Sequence, residues 1–228
     1  MFWNEKEQHH EITQSNSMVD VSFKIECKQL PGDHISFLYQ ELIHNFPWLA
    51  DDERISIQQL YIPASGNGWQ RAIHNTEDII HLSQRTRFTL RLPKTLESKA
   101  SELENTQLDI NGYPFKLKQL KILPITVSEI LVARFAYFKG TDNDEELFLQ
   151  KAYDEISHRG INISKMLCGK SVPITIDHQL ITTRSLMIAE LTKKDSILLQ
   201  EKGIGDFYNM GCGLFVPQKG IKAVNSEE

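Results

Sequence analysis

Apolar and polar residues alternate one by one near the start of the chain, where Val19, Val21, Phe23 and Ile25 interleave with Asp20, Ser22 and Lys24. A period of two gathers the apolar set on one face, which predicts a half-buried strand. Pro31 and Gly32 break it. Asp33 then supplies an N-cap for a helix burying Ile35, Leu38, Tyr39, Leu42 and Phe46, stopped by Pro47. Ile55 to Ile62 reads as a second strand and Pro63 to Trp69 as a Gly/Ser/Asn loop. In Arg85 to Leu92, Phe88, Leu90 and Leu92 point one way, so Arg85, Arg87, Thr89 and Arg91 point the other. Leu96, Ala100 and Leu103 mark a short amphipathic helix, and Asn111-Gly112 is the turn of a hairpin from Leu108 to Ile122.

The second half repeats the order. Ile130 to Phe138 is an apolar strand, and Asp144 to His158 is a helix burying Leu149, Ala152, Tyr153 and Ile156, ended by Gly160. Strands around Lys165 to Ile176 and Leu180 to Leu191 precede a helix from Thr192 to Lys202, opened by a Thr192/Asp195 capping box. Strand, helix, strand, strand, helix, strand, read twice, predicts an α+β fold of two tandem ferredoxin-like (RRM-like) βαββαβ units, each a sheet with helices on one face. The predicted boundaries are a flexible tail at 1–17, an N-terminal unit at 18–124, a C-terminal unit at 125–222 and a tail at 223–228.

After the last helix, Gly203, Gly205, Gly211, Gly213 and Gly220 stand among Phe207, Tyr208, Phe215 and two lysines, Lys202 and Lys219. Glycine permits φ > 0 and close approach to a backbone whose N–H groups can hold an anion such as phosphate. A dinucleotide fingerprint would follow a strand and open a helix, whereas this loop leaves a helix and enters a strand near Leu214 to Val216. Gly169-Lys170-Ser171 imitates the end of a Walker A motif, but Ser164 stands where its earlier glycine belongs.

A hydrophobic content of 40% and a charged content of 24% describe an ordinary globular chain. No apolar run reaches the roughly 20 residues of a membrane span, and the polar start carries no secretory core segment. Cys27, Cys168 and Cys212 form no Cys-x-x-Cys pair, which suits a reducing cytoplasm, and no histidine falls at zinc spacing. Neither a metal nor another cofactor is expected. The net charge of −5 runs against the basic balance of nucleic-acid proteins, although much of the acid is segregated into Asp51-Asp52-Glu53, 142–146 and Glu227-Glu228.

Gly-Ile-Gly at 203–205 followed by Gly-Cys-Gly-Leu-Phe-Val-Pro-Gln-Lys-Gly-Ile at 211–221 resembles the C-terminal signature of the CRISPR repeat-processing endoribonucleases, the Cas six family. Leu30-Pro31-Gly32-Asp33-His34 through Phe46-Pro47-Trp48-Leu49 resembles that family's MYXAN-type branch. The likeness runs from about Met18 to Ile221. It implies metal-independent cleavage of the repeat in precursor RNA, by attack of a ribose 2′-OH on the neighbouring phosphate. A base takes the 2′ proton and an acid protonates the leaving 5′ oxygen.

Family members commonly keep a catalytic histidine in or near the first helix, where this chain has His34 and His44. Ten helical positions span about 15 Å, so the two cannot serve one phosphate. His34 is preferred because a helix N-terminus favours neutral imidazole and because it matches the Pro-x-Asp-His of the branch; packing beneath the sheet is its other explanation. His44 falls opposite the apolar face, as an accessible catalytic group or a solvated one. RNA contacts are expected from Arg85, Arg87 and Arg91 on the open sheet face, extended by Lys116, Lys118 and Lys121, and from Gly203, Gly205, Gly211, Gly213, Lys219, Gly220 and Lys222 in the loop. The competing explanations are a solvated strand face and a compact turn with Phe207, Tyr208 and Phe215 as core. The expected partners are repeat RNA and other subunits of a type I effector complex. A non-cleaving repeat-binding subunit is the alternative, and a small-anion binder is a third.

Overall fold

The computed structural model describes residues 14–60, 79–142, 144–177 and 179–218. The Pro63 to Trp69 loop, the end of the Ile55 to Ile62 strand, residues 1–13 of the expected tail, and Lys219, Gly220 and Lys222 lie outside them.

The first half builds β1 (Gln14–Glu26), β2 (Gln29–Pro31), α1 (His34–Asn45), β3 (Ser56–Gln58), β4 (Ile79–His81), β5 (Arg87–Pro93), β6 (Gln107–Ile110) and β7 (Tyr113–Thr126). Its main sheet has the order β3-β5-β1-β7-β6, and β2 pairs with β4 in a separate ribbon. Without β6, that is the antiparallel order of a βαββαβ unit, its second helix being the 3₁₀ segment Lys94–Leu103. The alternation read from the sequence holds: Val19, Val21, Phe23 and Ile25 are buried against Phe88, Leu90, Leu92, Leu38 and Leu42. The expected tail at 1–17 is corrected over its last four residues, because Gln14 to Ser17 belong to β1 and Ser15 is buried.

The second half builds β8 (Leu131–Ala136), α2 (Glu145–His158), β9 (Lys165–Ile176), β10 (Gln179–Ala189), α3 (Lys193–Lys202) and β11 (Phe215–Pro217), in the sheet order β11-β8-β10-β9. This is the same order again. The capping box forms as expected: the Asp195 N–H donates to Thr192 Oγ1 at 3.1 Å. Tyr153 is a correction, being 48% exposed while Phe148 is buried instead. The apolar stripe of α2 runs Phe148, Ala152, Ile156 at four-residue steps, and Tyr153 falls one position off it.

The halves share a core. Ile35 of α1 packs with Tyr137, Ile176 and Ile181 of the second half and with Met210 and Cys212 of the glycine loop. On the opposite face of the first sheet, α3 covers one end: Gln200 Nε2 donates to the Thr126 carbonyl at 3.0 Å, and Ser17 Oγ donates to Glu201 Oε1 at 2.7 Å. One end of that face is closed and the other is open.

Candidate nucleic-acid interface

Helix α1 holds both histidines, and the structure separates them by accessibility. His34 Nδ1 lies 3.1 Å from the Pro31 carbonyl oxygen. A carbonyl only accepts, so Nδ1 carries the proton and Nε2 the lone pair. His34 is 4% exposed, and its Nε2 is buried without a hydrogen-bond partner. Burial lowers the imidazole to about 4, against the opposing pull of the Pro31 and Gly32 backbone. The neutral form expected of His34 is therefore present, but desolvation rather than the helix dipole produces it, and the ring does not reach solvent.

His44 is exposed in the last turn of α1. Asp33, Phe37, Gln40 and His44 succeed one another at spacings of four, three and four, which forms one stripe on the helix. Beside it runs a shallow groove lined by Asp33, Ser36, Phe37, Gln40 and, across from the helix, Thr175 of β9. The Asp177 N–H donates to Ser36 Oγ at 2.9 Å and pins the β9–β10 turn to the helix. Tyr39 faces away from the stripe and accepts a hydrogen bond from Asn209 Nδ2 at 2.6 Å.

The arginines expected together divide. Arg85 and Arg87 are exposed, whereas Arg91 is 1% exposed. Arg91 Nε and Nη2 grip the two Asp20 oxygens at 2.7 and 2.9 Å, and its Nη1 donates to the carbonyls of Gln200 and Phe215 at 2.8 and 2.7 Å. The expectation that Arg91 lies on an open face is thereby corrected: α3 and β11 cover that end of the sheet and take up the guanidinium's donors. Burial works against its charge, but the neighbouring Asp20 leaves its pKa raised overall.

The glycine loop is equally occupied. Gly203, Gly211 and Gly213 are buried and Gly205 is half-buried. The N–H groups of Gly203, Gly205, Gly211 and Gly213 donate, in order, to the Leu199 carbonyl, the Glu155 carboxylate, the Tyr208 carbonyl and the Phe135 carbonyl. The free N–H groups expected for an anion are thus absent at these four positions. Gly211 has φ +85°, and a Cβ there would strike the Ile57 carbonyl of β3. Gln59 Nε2 and Ser56 Oγ also reach into the loop, to the carbonyls of Met210 at 3.0 Å and Tyr208 at 2.5 Å. The glycines let the loop press against the first half. Burial pushes the Tyr208 hydroxyl up to about 12 and the Cys212 thiol up to about 12, consistent with core roles.

Two features of this region were not singled out from the sequence. Gln40 and Thr175 share the groove along α1, although nothing in the long stretch of chain between them signals that meeting. Lys24 belongs to the polar face of β1, and its alternation was visible, but not the strands it would pair with. Among the described residues no group of three or more His, Cys, Asp and Glu is placed to hold a metal ion, and no helix is long and apolar enough to cross a membrane.

Fold and core together define an α+β protein of two tandem ferredoxin-like units. The solved structure of a CRISPR-associated protein Cas6 superposes with a TM-score of 0.59 over 89% of this chain and 100% of its own, at 14% identity. A RAMP protein binding different RNA substrates gives 0.58 over 90% and 100%, at 11% identity. A Cas6-related protein from Pyrococcus furiosus gives 0.55 over 89% and 99%, at 12% identity. The family model for Cas6 Crispr matches residues 19–220, and the chain belongs to that family. The CRISPR-associated endonuclease Cas6 of Myxococcus xanthus DK1622 is 26% identical over 201 residues, 87% of this chain and 81% of the relative.

Proposed function

We propose that this protein binds the repeat hairpin of precursor CRISPR RNA and cleaves it without a metal ion. The ribose 2′ oxygen bonds to the adjacent phosphorus as a base takes its proton. The bond from phosphorus to the 5′ oxygen then breaks as an acid protonates that oxygen, leaving 2′,3′-cyclic phosphate and 5′-OH ends. The observation that carries the reading is membership of the Cas6 family over nearly the whole chain, together with a relative that is an endonuclease. The product stays bound as mature RNA, in the cytoplasm, alongside other subunits of a type I effector complex.

His44 is the proton-transfer residue in this proposal, since the alternative, His34, is buried. Arg85 and Arg87 contact the RNA, as do Lys219, Gly220 and Lys222 at the end of the loop. A second reading, a repeat-binding subunit that does not cleave, is favoured by one observation: among the described residues no hydrogen bond or ion pair orients His44.

Incubation of the purified protein with its cognate repeat RNA in EDTA tests both. Cleavage to a cyclic-phosphate end by the wild type and by His34→Ala, but not by His44→Ala, is expected. Tight binding without a cut would establish the non-cleaving subunit, and loss of cutting only in His34→Ala would move the proton-transfer role to that residue. Cleavage that required added magnesium would sink the metal-independent route.

A further inference from the structure

Strand pairing gathers cations on the open face of the first sheet that spacing within any one strand does not. Lys24 of β1 stands directly opposite Arg87 of β5 and, on its other side, opposite Lys118 of β7. Neighbouring strands lie about 4.8 Å apart, so three like charges form one row across three strands. Directly opposed like charges destabilise a sheet. At the next position on the same face, Glu26 stands opposite Lys116 and accepts from Lys118 Nζ at 2.5 Å. That hydrogen bond from Lys118, and the charges of Lys116 and Lys24, hold the Glu26 carboxyl below its usual range. Three lysines thus stand around one carboxylate, with Arg87 beyond Lys24, in a chain whose net charge is −5.

The positive charge thins toward the second half. One row further in, Ser22 faces Thr89 and Lys121, and the row after that is the Asp20 and Arg91 pair beneath α3. A fold that keeps three like charges opposed in an open row offers that row to an anion. Arg87, Lys24 and Lys118 run across three strands, and Lys116 and Lys118 continue the charge along β7.

We propose that Arg87, Lys24 and Lys118, extended by Lys116, form a phosphate track that carries the RNA backbone across the sheet at right angles to its strands. Lys118 exchanges Glu26 for a phosphate when the RNA arrives. Phosphate-binding side chains of this kind position the nucleic acid without reading its bases, and the track lies on the sheet face opposite to the one that packs on α1. The inference rests on the RNA-binding reading above.

The test is affinity for repeat RNA across a salt series, for the wild type, a Lys24→Gln/Arg87→Gln/Lys118→Gln triple variant, and Glu26→Gln. Removing one cation from a phosphate makes the slope of log affinity against log salt shallower by about 0.7 for single strands. The triple variant is expected to have a slope shallower by about 2, and Glu26→Gln to bind more tightly because the competing carboxylate is gone. Acetylation footprinting of the wild-type complex should show Lys24, Lys116 and Lys118 protected, independently of any variant's folding. Unchanged slope and unprotected lysines, with wild-type RNA binding intact, would overturn the track and leave the patch to an acidic protein partner. Absence of RNA binding by the wild type would remove the functional reading, and the track with it.

Discussion

Arg91 and Asp20 face each other across β5 and β1 with two parallel hydrogen bonds of 2.7 and 2.9 Å, while Arg87, four positions away on the same strand face, is open to solvent. One face of one strand therefore serves two purposes: its closed end locks the halves together and its open end presents charge.

Removing Arg91 leaves the half-buried Asp20 carboxylate and two buried carbonyls without their donor, at a cost of up to about 3–5 kcal/mol. Arg91→Ala should lose about that much stability, whereas the exposed Arg87→Ala should stay within about 0.5 kcal/mol of the wild type. Denaturant melts of the two variants make the comparison. Equal losses would mean that Arg91 is no keystone.

Two glycines with the same φ of +85° should respond differently to alanine. Gly112, in the β6–β7 turn, has nothing within 4 Å of a Cβ, whereas a Cβ on Gly211 meets the Ile57 carbonyl. Gly112→Ala introduces only backbone strain, about 1–3 kcal/mol. Gly211→Ala adds to the same strain the need to push the loop off β3, so its melting temperature should fall further.

His34 makes stability depend on pH. In the unfolded chain its pKa is the ordinary value of about 6.5, and in the folded protein about 4. Above about pH 6.5 both states hold a neutral ring and the protein has its full stability. As pH falls from there toward 4, the unfolded chain binds a proton that the folded ring refuses, so stability declines, by at most about 3 kcal/mol at about 1.36 per pH unit. Unfolding free energies measured from pH 7 to pH 4 should show this slope, and His34→Gln should flatten it.

Thiol labelling should sort the three cysteines. Cys27 and Cys168 are partly exposed, and Cys212 is fully buried with its thiol pushed up to about 12. A disulfide reagent at mildly alkaline pH should modify the first two in the native protein and Cys212 only on unfolding. Fast native labelling of Cys212 would contradict the packed loop.

The elements of the two main sheets and their order were legible along the chain, because local physics governs both, whereas the β2–β4 ribbon was not. Alternation in Val19 to Ile25, the Thr192 cap, the Asn111-Gly112 turn and the stop at Gly203 each act within a few residues. Two strand-helix-strand patterns in series left few other topologies. The Lys24 polar face and the exposed side of His44 were legible in the same way, from period two and period 3.6.

Which of those residues is open to a ligand depended instead on how distant segments pack. Arg85, Arg87 and Arg91 are indistinguishable along their segment, and only the docking of α3 and β11 buries the last of them. The His34 ring could have faced solvent or core, and only the tertiary packing that buries it against the Pro31 carbonyl decided between them. The loop glycines read as an anion cradle until β3 filled the space at Gly211 and Leu199, Glu155, Tyr208 and Phe135 took up the N–H groups. Alternation assigns a face, but burial depends on what the rest of the chain lays across that face, and the pairing that aligns Lys24 with Arg87 and Lys118 is a long-range register that no single segment encodes.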